Sequence, residues 1–154
     1  MSLNGRQTVR LEFTSTFEML DFVQVVSDHV ARSVGLDDEA LHWIGVAVRE
    51  CVINAIKHGN RGDLEKHVFV EFMTTPRAEP PELTICVRDQ GDGFDPAEIA
   101  NPLAPENLLK SSGRGIFLIR TFMDDVQMGP AAEGGMEIRM VKRVQLPGTV
   151  PGQC

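Results

Sequence analysis

Two short strand-like runs separated by a proline turn constrain this chain more than any other feature. His67 to Thr75 alternates, Leu83 to Val87 is a compact apolar run, and only Pro76-Arg77-Ala78-Glu79-Pro80-Pro81 lies between them. A link that short cannot carry a crossover, so the two strands pair antiparallel. The first alternates either through Val68, Val70 and Phe72 or through Phe69 and Glu71, and the sequence leaves open which set faces inward. A hairpin with one apolar face needs helices to cover it.

Those helices are legible upstream. Val9, Leu11 and Phe13 alternate with Arg10 and Glu12, a half-buried strand. Ser15 to Glu18 has the pattern of a capping box with Ser15 at the N-cap. Met19, Phe22, Val23, Val26, Val30 and Val34 then recur at helical spacing up to Gly35, where a C-terminal glycine is expected. Asp37-Asp38-Glu39 opens a second helix with acidic residues that suit the helix dipole, and Leu41, Ile44, Val48, Val52 and Ala55 form its apolar stripe. Gly59 to Asp63 reads as a loop. Downstream, residues 97–112 have weak periodicity and two prolines, the mark of a lid or binding loop. Ile116 to Met123 is an apolar helix, Asp125 to Met128 a short strand, Gly129 to Gly135 a turn and Met136 to Val144 the closing strand. The expected order is β-α-α-β-β-lid-α-β-β. It predicts an α+β chain, a two-layer sandwich with a mixed, mostly antiparallel sheet and helices on one face.

Length and charge narrow the function. The 154 residues are enough for one domain with one core, and 42% hydrophobic against 24% charged residues argues against wholesale disorder. Lys and Arg total 15 and Asp and Glu 22, a net −7, which does not suit coating of DNA or RNA. No run approaches about 18 apolar residues, so no membrane span is expected. Met1 to Arg6 lacks the apolar stretch of a signal peptide, and the cysteines Cys51, Cys86 and Cys154 form no CxxC spacing, so a cytoplasmic location is expected. Cys51 and Cys86 read as small core residues and Cys154 as exposed. The four histidines form no HxH or HExxH pattern.

Three polar motifs interrupt the apolar elements. Glu50, Asn54 and His58 recur at i, i+4 and i+8 and share one face of the second helix, ending in Lys57-His58-Gly59. A carboxylate and a carboxamide on so apolar a helix either bridge neighbouring loops or meet a ligand. Asp89-Gln90-Gly91-Asp92-Gly93-Phe94 follows a strand directly. Its alternate glycines allow a tight turn and close approach of a ligand, and an aspartate at a strand end can accept from an exocyclic amine; a plain acidic turn is the alternative. Gly113-Arg114-Gly115 precedes an apolar helix, either as a helix-entry turn or as a phosphate site made by free amides and the helix dipole. It is not a Walker loop, since no GK[ST] follows.

In this order the three motifs resemble the N box and the two glycine boxes of the GHKL superfamily of gyrase-, histidine kinase- and MutL-type ATPases. The match is ExxxNxxxHG at Glu50–Gly59, DxGxGF at Asp89–Phe94 and GxG-hydrophobic at Gly113–Ile116, within a resemblance spanning residues 9–143. The short length, the first-helix pattern and Phe122-Met123-Asp124-Asp125-Val126 are similar to the anti-sigma factor serine/threonine kinase branch. The resemblance implies a Bergerat ATP-binding fold over residues 9–144, between an N-terminal segment 1–8 and a C-terminal tail 145–154. It implies ATP and Mg²⁺ as cofactors, with Asn54 holding the magnesium ion and Glu50 as general base. Asp89 would accept from the adenine amine, with Gly91 and Gly93 giving it room. Gly113, Arg114, Gly115 and Ile116 would cradle the phosphates, and Lys110 on the lid would add a contact. One departure stands out: branch members often have a threonine near the start of the last strand, where this chain has Gly134-Gly135-Met136-Glu137. Any contact from that hydroxyl is in doubt, and Glu137 acting through water is a weak substitute.

The function implied is an anti-sigma regulatory factor that binds a sigma factor and phosphorylates a STAS-type antagonist on serine or threonine. A homodimer is expected, with no direct nucleic-acid or membrane contact. Two other readings stay open: a non-catalytic ATP-binding regulatory module, and a stand-alone histidine kinase catalytic domain.

Overall fold

Alternation in the strands becomes five strands in the computed structural model, which describes residues 5–91 and 111–145 and, for residues 111–116, the backbone alone. The strands are β1 (Gln7–Thr14), β2 (His67–Thr75), β3 (Glu82–Arg88), β4 (Asp125–Pro130) and β5 (Met136–Arg143). Their order is β1-β2-β3-β5-β4. Register settles which set faces inward. Leu11, Val70, Val87, Ile138 and Met128 form one row across the sheet, and Val9, Phe72, Ile85, Met140 and Val126 form the next. Phe72, Ile85 and Met140 are fully buried, and burying each such side chain contributes about 1.5–3 kcal/mol.

Every described pairing is antiparallel, which corrects the expectation of a mixed sheet. A parallel neighbour needs a single crossover. Here β1 is followed by two helices, α1 (Leu20–Ser33) and α2 (Asp38–Asn54), packed on each other. The pair returns the chain to the end of the sheet it left, so β2 enters antiparallel. The third helix, α3 (Ser111–Phe122), packs on α2. The helices thus form one layer, while the opposite face of the sheet carries ion pairs such as Arg10–Glu71 (2.7 Å) and Arg143–Glu82 (3.2 Å). No described helix is long and apolar enough to cross a membrane.

Helix ends follow local chemistry. Asp37 caps α2, its Oδ1 accepting from the Ala40 N–H at 2.9 Å. Asp37→Ala should cost about 1 kcal/mol; urea unfolding with an unchanged midpoint would show that the cap is idle. Gly35 has φ +98°, as a glycine closing α1 requires.

Four details differ from the sequence reading. The cap after β1 is Thr16, whose hydroxyl accepts from the Glu18 N–H at 3.4 Å ahead of a short 3₁₀ turn, Phe17–Met19. Ser15 is instead buried and donates to the Lys66 carbonyl at 2.7 Å. Phe22 is 49% exposed. The buried stripe of α1 runs through Leu20, Val23, Ser27, Val30 and Ala31, and the serine within it conceals the true face. Cys51 is in the core, but Cys86 lies on the open sheet face, because Leu83, Ile85 and Val87 take the inner parity. Partial burial and the charge of Glu137 push the Cys86 thiol up to about 11. Burial, with Glu50 adding to it, pushes the Cys51 thiol up further. Both are poor nucleophiles.

Candidate functional site

Helix α2 carries the first part of the site. Glu50 is half-buried and lines a crevice with Trp43, Val46 and Ala47 of its own helix and Leu118, Ile119 and Phe122 of α3. The α3 side of this crevice is anchored at its C-terminal end. Phe122 stacks on Trp43 with ring centroids 3.8 Å apart and planes 7° from parallel. The Phe122 carbonyl accepts from Lys142 Nζ at 2.8 Å. Glu50 is therefore a half-buried carboxylate in a closely packed, mostly apolar contact between α2 and α3.

Asn54, also half-buried, is the last residue of α2. The helix then widens into one π turn, Ala55–Gly59, closed by the Asn60 N–H on the Ala55 carbonyl at 2.8 Å. Single π turns inside helices are frequent at functional sites. Of the Glu50–Asn54–His58 column expected from regular spacing, Glu50 and Asn54 are half-buried. His58 and Lys57 are exposed, while Gly59 is carried onto the end of β3.

Asp89, at the end of β3, is only 4% exposed. Its backbone N–H donates to the Met136 carbonyl at 3.0 Å. Its Oδ1 accepts from the Gly91 N–H at 2.9 Å and the Met136 N–H at 3.1 Å. Three glycines crowd it. A Cβ at Gly59 would overlap the Asp89 carboxylate, nearest its Oδ2, and a Cβ at Gly91 would overlap the Gly59 carbonyl. A Cβ at Gly135 would overlap the Asp89 backbone carbonyl. The ends of α2 and β3 and the start of β5 thus meet with only glycine hydrogens between them. The two N–H bonds fix Oδ1 and turn Oδ2 toward Gly59. An ionised carboxylate offers about four acceptor positions, so this arrangement suits a donor such as an aromatic amine.

The sequence reading missed Asn60. It is 1% exposed and holds the same junction: Nδ2 donates to Ser15 Oγ and to the His67 carbonyl, each at 2.9 Å, and Oδ1 accepts from the Gln90 N–H at 2.8 Å. Its one sequence signal was position, directly after Lys57-His58-Gly59, in a stretch whose polar composition reads as solvated loop.

Of the remaining expected site residues, Gly93 and Lys110 lie outside the described residues, as does nearly all of the expected lid. Helix α3 starts at Ser111, so Gly113, Arg114, Gly115 and Ile116 stand inside its first turns rather than before it. Glu137 pairs in register with Arg88 and reaches Cys86 on the open face, so it is on the wrong side of the sheet to serve Asp89. The start of β5 acts through backbone instead, at Gly135 and Met136.

The assembled parts fit a nucleotide: a buried carboxylate beside a glycine cradle, a carboxamide on the adjoining helix whose oxygen suits a hard cation, and a second carboxylate in an apolar cleft. Comparison with known proteins points the same way. Residues 13–142 match the profile of the histidine kinase-like ATPase domain. An anti-sigma F factor from Clostridium perfringens is 34% identical over 140 residues, covering 88% of this chain and 96% of that protein. The anti-sigma F factor of Oceanobacillus iheyensis is 30% identical over 149 residues, 94% and 98% of the two chains. The serine-protein kinase RsbW of Listeria monocytogenes is 25% identical over 142 residues, 88% and 87%.

Proposed function

We propose, from the premise that this chain belongs to the histidine kinase-like ATPase family and to its anti-sigma serine kinase branch, that it transfers a phosphate from Mg·ATP to a serine or threonine of a partner protein. The observation that carries this reading is Glu50, a half-buried carboxylate one turn before Asn54 on the same helix. The Asp89 junction supports ATP as the donor.

In this reading Asp89 accepts from the adenine amine, and Gly91 and Gly93 let the base lie close. Asn54 holds Mg²⁺, an ion that takes few protein ligands and keeps most of its water. Gly113 and Arg114 in the first turn of α3, with Lys110, hold the phosphates where free amides and the helix dipole favour negative charge, and Gly115 and Ile116 follow them inside the helix. Bound Mg²⁺ supplies charge neutralisation for the phosphates. The chain itself aligns the acceptor hydroxyl and removes its proton through Glu50.

The names of the relatives extend the proposal to partners. We infer a sigma factor that the chain binds, and an antagonist of the STAS type that it phosphorylates, within a cytoplasmic homodimer. Phosphate transfer from labelled Mg·ATP to a STAS-type antagonist of the same organism tests the reading. An acid-stable phosphoserine or phosphothreonine is expected. An acid-labile product would make it a histidine kinase, and intact ATP binding without transfer would make it a conformational regulator.

A further inference from the structure

A buried carboxamide is costly unless all its groups are bonded. Asn60 spends its bonds on tying four segments together. Its Nδ2 reaches the end of β1 at Ser15 and the start of β2 at His67, and its Oδ1 takes the Gln90 N–H. Gln90 returns the tie, its Oε1 accepting from the His67 N–H at 2.7 Å. Gln90 is exposed, beyond the last residue of β3, so no ladder bond fixes its amide. Its peptide plane is set by Asn60, and that plane joins directly to Asp89.

We propose that Asn60 is a positioning residue for base recognition: by holding the Gln90 N–H it fixes the angle at which Asp89 presents its carboxylate, and thereby sets the preference for adenine over guanine. This rests on the reading of Asp89 as the acceptor for the base. The chemistry is direct. Adenine offers an exocyclic amine, a donor to a carboxylate, at the ring position where guanine carries a carbonyl that a carboxylate repels. Such discrimination needs an acceptor that cannot swing away. Two N–H bonds hold Oδ1, but one comes from Gly91, which belongs to the same turn and would move with it. Asn60, which closes the π turn after α2, ties that turn to β1 and β2.

Calorimetric titration with Mg·ADP and Mg·GDP tests it on the full chain. Asn60→Ala should weaken ADP binding by about tenfold and narrow the ADP-over-GDP preference by about fivefold, the scale expected when a buried hydrogen bond is lost. Asn60→Asp keeps an acceptor for Gln90 and should keep the preference while lowering the unfolding temperature. Ser15→Ala, which removes the tie to β1 and the Ser15 bond to the Lys66 carbonyl but leaves the Gln90 N–H on Asn60 Oδ1, should do the same. If Asn60→Ala lowers the unfolding temperature but leaves the ADP-to-GDP ratio as in wild type, Asn60 is a fold residue only and the proposal is overturned. Asp89→Asn separates the layers: wild-type ADP affinity in that variant refutes the reading of Asp89 itself. Should Asn60→Ala not fold, amide exchange in the wild-type protein decides. A Gln90 N–H that exchanges slowly, and more slowly with ADP, supports the proposal; exchange at the rate of an unstructured peptide overturns it.

Discussion

Glu50→Ala should slow phosphate transfer by about 10²–10⁴-fold, the usual contribution of a positioned acid or base, while ATP affinity changes by less than about twofold. The asymmetry follows from where Glu50 stands. It lines the crevice between α2 and α3 with Trp43, Val46 and Phe122, whereas the acceptor for the base, Asp89, is at the end of β3 beside Gly59. Removing Glu50 takes away a proton acceptor without touching the base or the glycine cradle. Glu50→Gln sharpens the test, because the amide keeps the size of the side chain and its hydrogen bonding but cannot take a proton. Rates measured at saturating ATP should fall as far in Glu50→Gln as in Glu50→Ala. A glutamine variant with wild-type turnover would remove Glu50 from the base role and leave it as a wall of the crevice.

The parts of the site that could be read from the sequence are those whose chemistry is local. Glu50 and Asn54 were conspicuous as polar residues on an apolar helix, and Asp89 and Gly91 as an acid and a glycine just past a strand. The strands and the α2 stripe were equally plain, since a period of two or 3.6 is written in neighbouring residues. What escaped depends on contacts far along the chain. Asn60 earns its burial from Gln90, thirty positions away, and from Ser15, forty-five positions away. Ser15 has the local pattern of a cap, while its actual partners, Lys66 and Asn60, are distant in sequence. Cys86 stands in an apolar run, which does not reveal its parity until register is known. The π turn has no compositional signature at all, yet it ends at Gly59, where the chain meets Asp89.

Gly135→Ala should be strongly disruptive, and Gly134 and Gly129 show why. Gly135 has φ +82°, a conformation that costs an L-residue about 1–2 kcal/mol. Its Cβ would also overlap the Asp89 carbonyl, so the start of β5 must move away. That movement strains the Met136 N–H bond to Asp89 Oδ1, a charge-assisted bond worth about 1.5–3 kcal/mol. Together these give a loss of about 3 kcal/mol, or about 6–12 °C in unfolding temperature for a chain of this size. ATP binding should weaken with it, since the same bond orients the carboxylate. Gly134 shares the backbone strain, with φ +99°, but has open space around its Cβ position. Gly134→Ala should therefore cost only the conformational part, about 1–2 kcal/mol, and leave ATP affinity intact. Gly129 has neither strain nor a close neighbour, and its alanine variant should unfold at the wild-type temperature or slightly above. Thermal unfolding of the three variants, each with an ATP titration, separates backbone strain from crowding at the site. Equal losses at Gly134 and Gly135, with ATP affinity unchanged in both, would mean that the close approach of β5 does not hold Asp89.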